Sequence, residues 1–216
     1  MTRLLLSALL FTVVCASAIA QNVPLQFGDG YTYISWDNTK KTITLFHEDP
    51  VKRSPFPFAI IELPKGHTAD LNVPRVGKNS FIVRQESGDT EAIFSKSSSS
   101  PFVQITLPLS ENMFKEGPVK NIELPKIELQ LPAEKLMTLG TAGLRAVDKH
   151  KGSYMFLAAA DPETRSGVVT GWITSNKGSG IVFSEKNASG NAVIKPVLEY
   201  GKLLPPKDFR SPKEIF

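Results

Sequence analysis

Between residues 152 and 184, apolar stretches and turn-forming stretches alternate in a rhythm that predicts three strands joined by two turns. Residues 155–160 (Met-Phe-Leu-Ala-Ala-Ala) are a continuous apolar run, and residues 161–167 (Asp-Pro-Glu-Thr-Arg-Ser-Gly) read as a turn. Residues 168–174 and 180–184 are the next two strands, split by the glycine-bearing stretch 175–180. The β-branched and aromatic residues in these runs suit a pleated sheet. Nearer the N-terminus, residues 31–36 and 41–47 alternate on either side of Asp37-Asn38-Thr39-Lys40, a hairpin signal. Its register places Ile34 and Trp36 on a face that meets Ile43 and Leu45.

Residues 58–62 and 81–85 are further predicted strands, with Pro55, Pro57, Pro64 and Pro74 punctuating the connections. The serine-rich stretch 95–101 reads as a surface loop within one sheet, because strand patterning resumes at once over 102–107. Over residues 121–131 the alternation is clear: Ile122, Leu124, Ile127, Leu129 and Leu131 are apolar while Glu123, Glu128 and Gln130 are polar. One face is wet and one buried, as in an antiparallel sheet, and Pro125 marks an edge or a bulge. Residues 133–137 have room for a single helical turn, and nothing longer reads as an amphipathic helix. Strands joined without crossover helices exclude a parallel α/β sheet and predict an all-β fold, a large antiparallel β-sandwich with little helix.

The first twenty residues read differently. Arg3, the apolar stretch 4–14 and Ala18-Ile19-Ala20 form the three zones of a cleaved signal peptide, so the expected mature chain begins at Gln21 and is secreted or periplasmic. A stable membrane anchor is not expected, since the apolar run ends in small residues followed by polar Gln21 and Asn22. The expected layout is a signal peptide over 1–20, a β-sandwich domain over 21–203 and an extended C-terminal linker or tail over 204–216. Cys15 is the only cysteine, so the domain has no disulfide to lean on and stands on its core. Losing Arg3 takes the formal charge from +4 to +3, with no basic stripe interleaved with aromatics, and nucleic acid is not an expected partner.

Catalytic chemistry is sparse. His47, His67 and His150 are isolated, with no second ligand at metal spacing, so neither a metal nor a cofactor is expected. No Gly-x-Ser-x-Gly elbow occurs, and Gly178-Ser179-Gly180 lies between two strands rather than before a helix. Two suitably spaced acids suffice for glycoside hydrolysis, which brings Asp89, Glu91, Asp148, Asp161 and Glu163 into view. Asp161, preceding Pro162, is better suited to bonding the backbone of its own turn. Asp148 sits among Arg145, Lys149, His150 and Lys151, a solvated loop with ligand contact as the alternative. Trp172 shares a strand face with Thr170 and Thr174, a surface that can stack on a sugar ring or a neighbouring domain, or else pack beneath a loop. Asn187, in Asn187-Ala188-Ser189, is expected in an exposed turn.

Residues 143–158 (Gly-Leu-Arg-Ala-Val-Asp-Lys-His-Lys-Gly-Ser-Tyr-Met-Phe-Leu-Ala), continued by 161–174 (Asp-Pro-Glu-Thr-Arg-Ser-Gly-Val-Val-Thr-Gly-Trp-Ile-Thr) and 178–184 (Gly-Ser-Gly-Ile-Val-Phe-Ser), resemble the N-terminal β-domain of secreted α-galactosidase-like glycoside hydrolases. The resemblance rests on packing and turn residues. It implies a large sandwich that precedes a (β/α)₈ barrel bearing two catalytic aspartates. A barrel needs about 250 residues, which this sequence does not hold, so no catalytic residue is carried over. The expected function is that of a non-catalytic domain packing on or shaping a catalytic barrel. The alternative is a free-standing exported carbohydrate-binding or protein-interaction module, with Trp172, Asp148 and His150 as ligand or domain-interface candidates.

Overall fold

A computed structural model describes residues 25–27, 32–37, 40–48, 54–63, 67–70, 80–85, 90–95, 102–107, 111–149, 152–173, 178–205 and 214–215. The expected signal peptide, His150 and Thr174 lie outside the described residues. The first strands are β1 (Leu25–Phe27), β2 (Thr32–Asp37), β3 (Thr42–Glu48), β4 (Pro55–Glu62), β5 (His67–Asp70) and β6 (Ser80–Gln85). There follow β7 (Thr90–Ser95), β8 (Gln104–Leu107), β9 (Val119–Glu123), β10 (Ile127–Pro132), β11 (Met137–Gly140) and β12 (Gly143–Ala146). The last are β13 (Ser153–Tyr154), β14 (Phe156–Ala160), β15 (Gly167–Gly171), β16 (Ser179–Lys186), β17 (Asn191–Leu203) and β18 (Glu214–Ile215). Among the described residues no helix reaches seven residues and every strand pair is antiparallel, so the fold is all-β.

The strands form three sheets rather than the two of a simple sandwich. The largest runs β1-β2-β3-β4-β10-β17-β16-β13, with β9 also on β17; a second runs β12-β11-β14-β15; a third runs β18-β8-β7-β6-β5. One continuous buried cluster draws on all three, including Ile34, Ile43, Phe94, Leu129, Leu157 and Ile194. The hairpin register is as the alternation implies, with Ile34 opposite Leu45 and Trp36 opposite Ile43. Asp37 closes that turn by accepting the Lys40 N–H on Oδ1 at 3.0 Å. The serine-rich stretch joins β7 to β8 within one sheet, where Ser95 faces Gln104.

Alternation over 121–131 is interrupted for a physical reason. β9 and β10 both pair with β17 and part company at residues 124–126. There the Leu124 N–H donates to the Pro196 carbonyl at 3.0 Å. A strand residue directs its N–H and C=O to the same side, so the donor that Pro196 lacks would have pointed at this same gap. Pro125 occupies the break, and Ala133–Lys135 makes the predicted single helical turn as a 3₁₀ segment. The expected tail over 204–216 is not linker throughout: Glu214 pairs with Leu107 and Ile215 with Thr106, completing the third sheet.

β14 is apolar throughout but buried on one face only. Leu157 is fully buried and Phe156 is 46% exposed. Leu144, Leu139, Ala158 and Val169 stand in register across the four strands of the second sheet, and three of these side chains are exposed. Replacing Leu157 with Ala should cost about 2–5 kcal/mol in chemical denaturation, whereas Leu139→Ala should stay within about 0.5 kcal/mol. Equal losses at the two positions would invert this assignment of faces.

Candidate functional site

The passage of the chain between sheets builds the site. Met155 stands between β13 in the first sheet and β14 in the second, at φ +67°, a conformation unusual outside glycine. Its N–H donates to the Gly180 carbonyl at 2.8 Å, and its own carbonyl accepts the Trp172 N–H at 2.7 Å. β15 ends at Gly171, so Trp172 leaves the strand, and its side chain is only 5% exposed. Of the two settings considered for Trp172, the structure shows packing inside the protein rather than an open strand face. The reason is Gly180: a Cβ there would collide with Cγ and Cδ1 of the indole, and its absence leaves a slot into which the ring folds. The indole Nε1–H points to the Ile181 carbonyl at 3.4 Å.

The buried ring borders a cleft of about 790 Å³. Its floor is the inner face of the first sheet at Leu45, Ala59, Ile61 and Ile127, and Phe56 and Phe102 stand at its rim. Strand β15 forms one wall along its whole length. The strand is an edge: among the described residues it pairs with β14 alone. The ionisable side chains of the described lining are His47 and Arg165, with no Asp or Glu. His47 packs edge-to-face on Phe56, ring centroids 5.6 Å apart. The cleft therefore offers apolar surface, a backbone edge and positive charge.

Asp148, Asp161 and Glu163, three of the acids considered from sequence, do not line the cleft, and Asp89 and the side chain of Glu91 lie outside the described residues. Asp161 is buried in the β14–β15 turn, its Oδ1 accepting the N–H of Glu163 at 2.8 Å and of Thr164 at 3.4 Å. Its N–H donates to the Ser166 carbonyl and its carbonyl accepts the Arg165 N–H, both at 2.8 Å, with Arg165 at φ +59°. The Glu163 N–H, above all, holds the Asp161 carboxyl below its ordinary value against the opposing effect of burial; bonds from Thr164 and the charge of Lys135 add to it. A carboxyl held ionised is unsuited to donating a proton to a leaving group. Asp148 is exposed on the 3₁₀ turn Val147–Lys149 and borders neither the cleft nor the second hollow. Asp148 is thus not brought together with Trp172.

That second hollow, of about 330 Å³, includes Glu123, Glu185, Lys126 and Lys195. The Lys195 Nζ donates to Glu185 at 2.8 Å and Lys126 stands 3.7 Å from it, so Lys195 first and Lys126 second keep Glu185 ionised, against the opposing effect of burial. Among the described residues no group of three His, Cys, Asp or Glu could hold a metal ion, and no helix is long and apolar enough to cross a membrane. Asn187 does lie at a turn, but half-buried: its Oδ1 accepts the Asn191 N–H at 2.8 Å.

No family model, curated protein or solved structure matches this chain. Nothing in these comparisons identifies it as part of an α-galactosidase-like enzyme.

Sequence reasoning singled out Trp172 but missed the cleft beside it. Its lining comes from residues 32–61, 102–105, 127–131 and 165–173, which no local pattern connects.

Two outcomes follow from the geometry. Gly180→Ala should lower stability by about 1–3 kcal/mol or more in a denaturant melt, because the indole has nowhere to retreat in a packed interior; a neutral result would remove the slot from the argument. For Asp161, the folded carboxyl is more acidic than the unfolded one, so its contribution is full above the unfolded value and fades as pH falls towards the folded one. Asp161→Ala should therefore lower the melting temperature most near neutrality, with the gap to wild type narrowing below about pH 4. A gap constant from neutral to strongly acidic pH would assign the effect to turn shape alone.

Proposed function

We propose that this chain is a non-catalytic binding module, exported and acting through protein interaction at the apolar cleft beside Trp172. The observation that carries this reading is the composition of the cleft: about 790 Å³ of apolar floor and rim, a sheet edge unpaired among the described residues, two basic side chains and no acid among the described lining residues. Convergent polar groups set around a mostly apolar hollow are the usual marks of a binding site. The same inventory does not suit glycoside hydrolysis, which needs two carboxyls flanking the bond to be broken. Nor does it suit a sugar platform, since the indole has its ring folded into the protein over Gly180. The reading does not depend on kinship with α-galactosidase-like enzymes.

Anilinonaphthalene sulfonate, an apolar aromatic anion, suits this lining and tests it. The dye should bind saturably at one site, and Phe56→Ser with Phe102→Ser should weaken it about tenfold. Both phenylalanines are exposed, so the variant should keep its fold. Leu139→Ser with Leu144→Ser, on the outer face of the second sheet, should leave binding unchanged. Dye binding lost only in the outer-face variant would overturn the cleft as the binding surface.

A further inference from the structure

The wall of the cleft says more about its occupant than the floor does. In the antiparallel pair of β14 and β15, Trp172 donates to Met155 and Asp161 donates to Ser166, which fixes the phase of the ladder. Hydrogen-bonded positions alternate, so with Leu157 opposite Thr170 and Ala159 opposite Val168, it is Thr170 and Val168 that turn their N–H and C=O inward to β14. Gly167, Val169 and Gly171 turn theirs outward, along the cleft. Two of these three residues are glycines, which leave the edge open to close backbone approach. Val169 is 66% exposed.

Resting on the binding-module reading, we propose that the occupant is an extended polypeptide segment that adds to β15 as a fifth strand of the second sheet. Three outward peptide groups at alternate positions match the spacing of another strand and not of an acyl chain or a sugar, which carry no such row of donors and acceptors. Side chains on one face of the added strand enter the apolar cleft towards Ile61 and Ile127. Those on the other face extend the row of Leu144, Leu139, Ala158 and Val169. Arg165, at the turn end of the wall, has no acidic partner among the described residues and lines the cleft. An acidic residue at the corresponding end of the segment complements it.

The test uses the full chain and a capped peptide of alternating valine and threonine, about seven residues long to span the edge, ending in glutamate. Amide exchange read by NMR should slow by about tenfold at Gly167, Val169 and Gly171 when the peptide binds, and stay unchanged at Val168 and Thr170. Val169→Pro removes an outward donor without breaking the ladder to β14, a placement that edge strands tolerate. It should weaken the peptide about tenfold, whereas Val169→Ala, which keeps the donor, should leave peptide affinity within about twofold. Peptide binding without the alternating protection would overturn strand addition. Dye binding without peptide binding would do the same while sparing the cleft as a binding surface. Failure of both probes would remove the cleft reading as well.

Discussion

Everything in the second sheet hangs on the peptide groups of Met155. This residue gives its N–H to Gly180 in the first sheet and its carbonyl to Trp172 at the end of the second, and it adopts a left-handed backbone to do so. A non-glycine residue held there costs of the order of 1–3 kcal/mol, and persists only where its surroundings over-determine it. Here they do: Met155 packs against the core, the indole of Trp172 fills the slot above Gly180, and the buried Ser153 hydroxyl accepts the Thr141 N–H at 2.8 Å. These contacts fix where β15 runs, and so place along the cleft the edge that no other described strand pairs with.

A related constraint organises the first sheet around β17. This thirteen-residue strand carries β16 on one side and both β9 and β10 on the other. A proline inside so central a strand removes one ladder donor, and the neighbouring chain answers with a break at the same place. Leu124 still bonds the Pro196 carbonyl across the gap. The deficit is confined to one position instead of leaving a polar group orphaned in the core.

Much of this was legible in the sequence because it depends on local rules. Period-two alternation located the β2–β3 hairpin and its register, the Asp161-Pro162 pair located the β14–β15 turn, and the absence of helical periodicity excluded an α/β fold. What failed was anything set by long-range pairing. The apolar run 155–160 looks uniform, yet Phe156 is exposed and Leu157 buried, because β14 covers the core with one face only. For Trp172 the choice between an open strand face and the interior stayed undecided, because nothing nearby in sequence reveals that Gly180 has cleared a space for it. The expected linker likewise gave up Glu214 and Ile215 to an edge offered by β8, more than a hundred residues earlier.

Edge strands are usually blunted by brevity, charge, proline or a bulge, since an open edge invites unwanted pairing. The other described edges follow that practice. β1 and β13 have three and two residues, β18 has two and carries Glu214, β5 carries Asp70, and β12 carries the exposed Arg145. β15 has none of these defences: its five residues, Gly-Val-Val-Thr-Gly, hold no charge and no proline. Its register with β14 runs unbroken from Gly167 to Gly171, so no bulge twists it away. An edge so plain is a liability in open solvent, but here it lines an apolar hollow with Phe56 and Phe102 at the rim. On the strand-addition proposal, the hollow beside this edge favours a chain that is extended and apolar on one face, which would turn the absence of protection into selectivity.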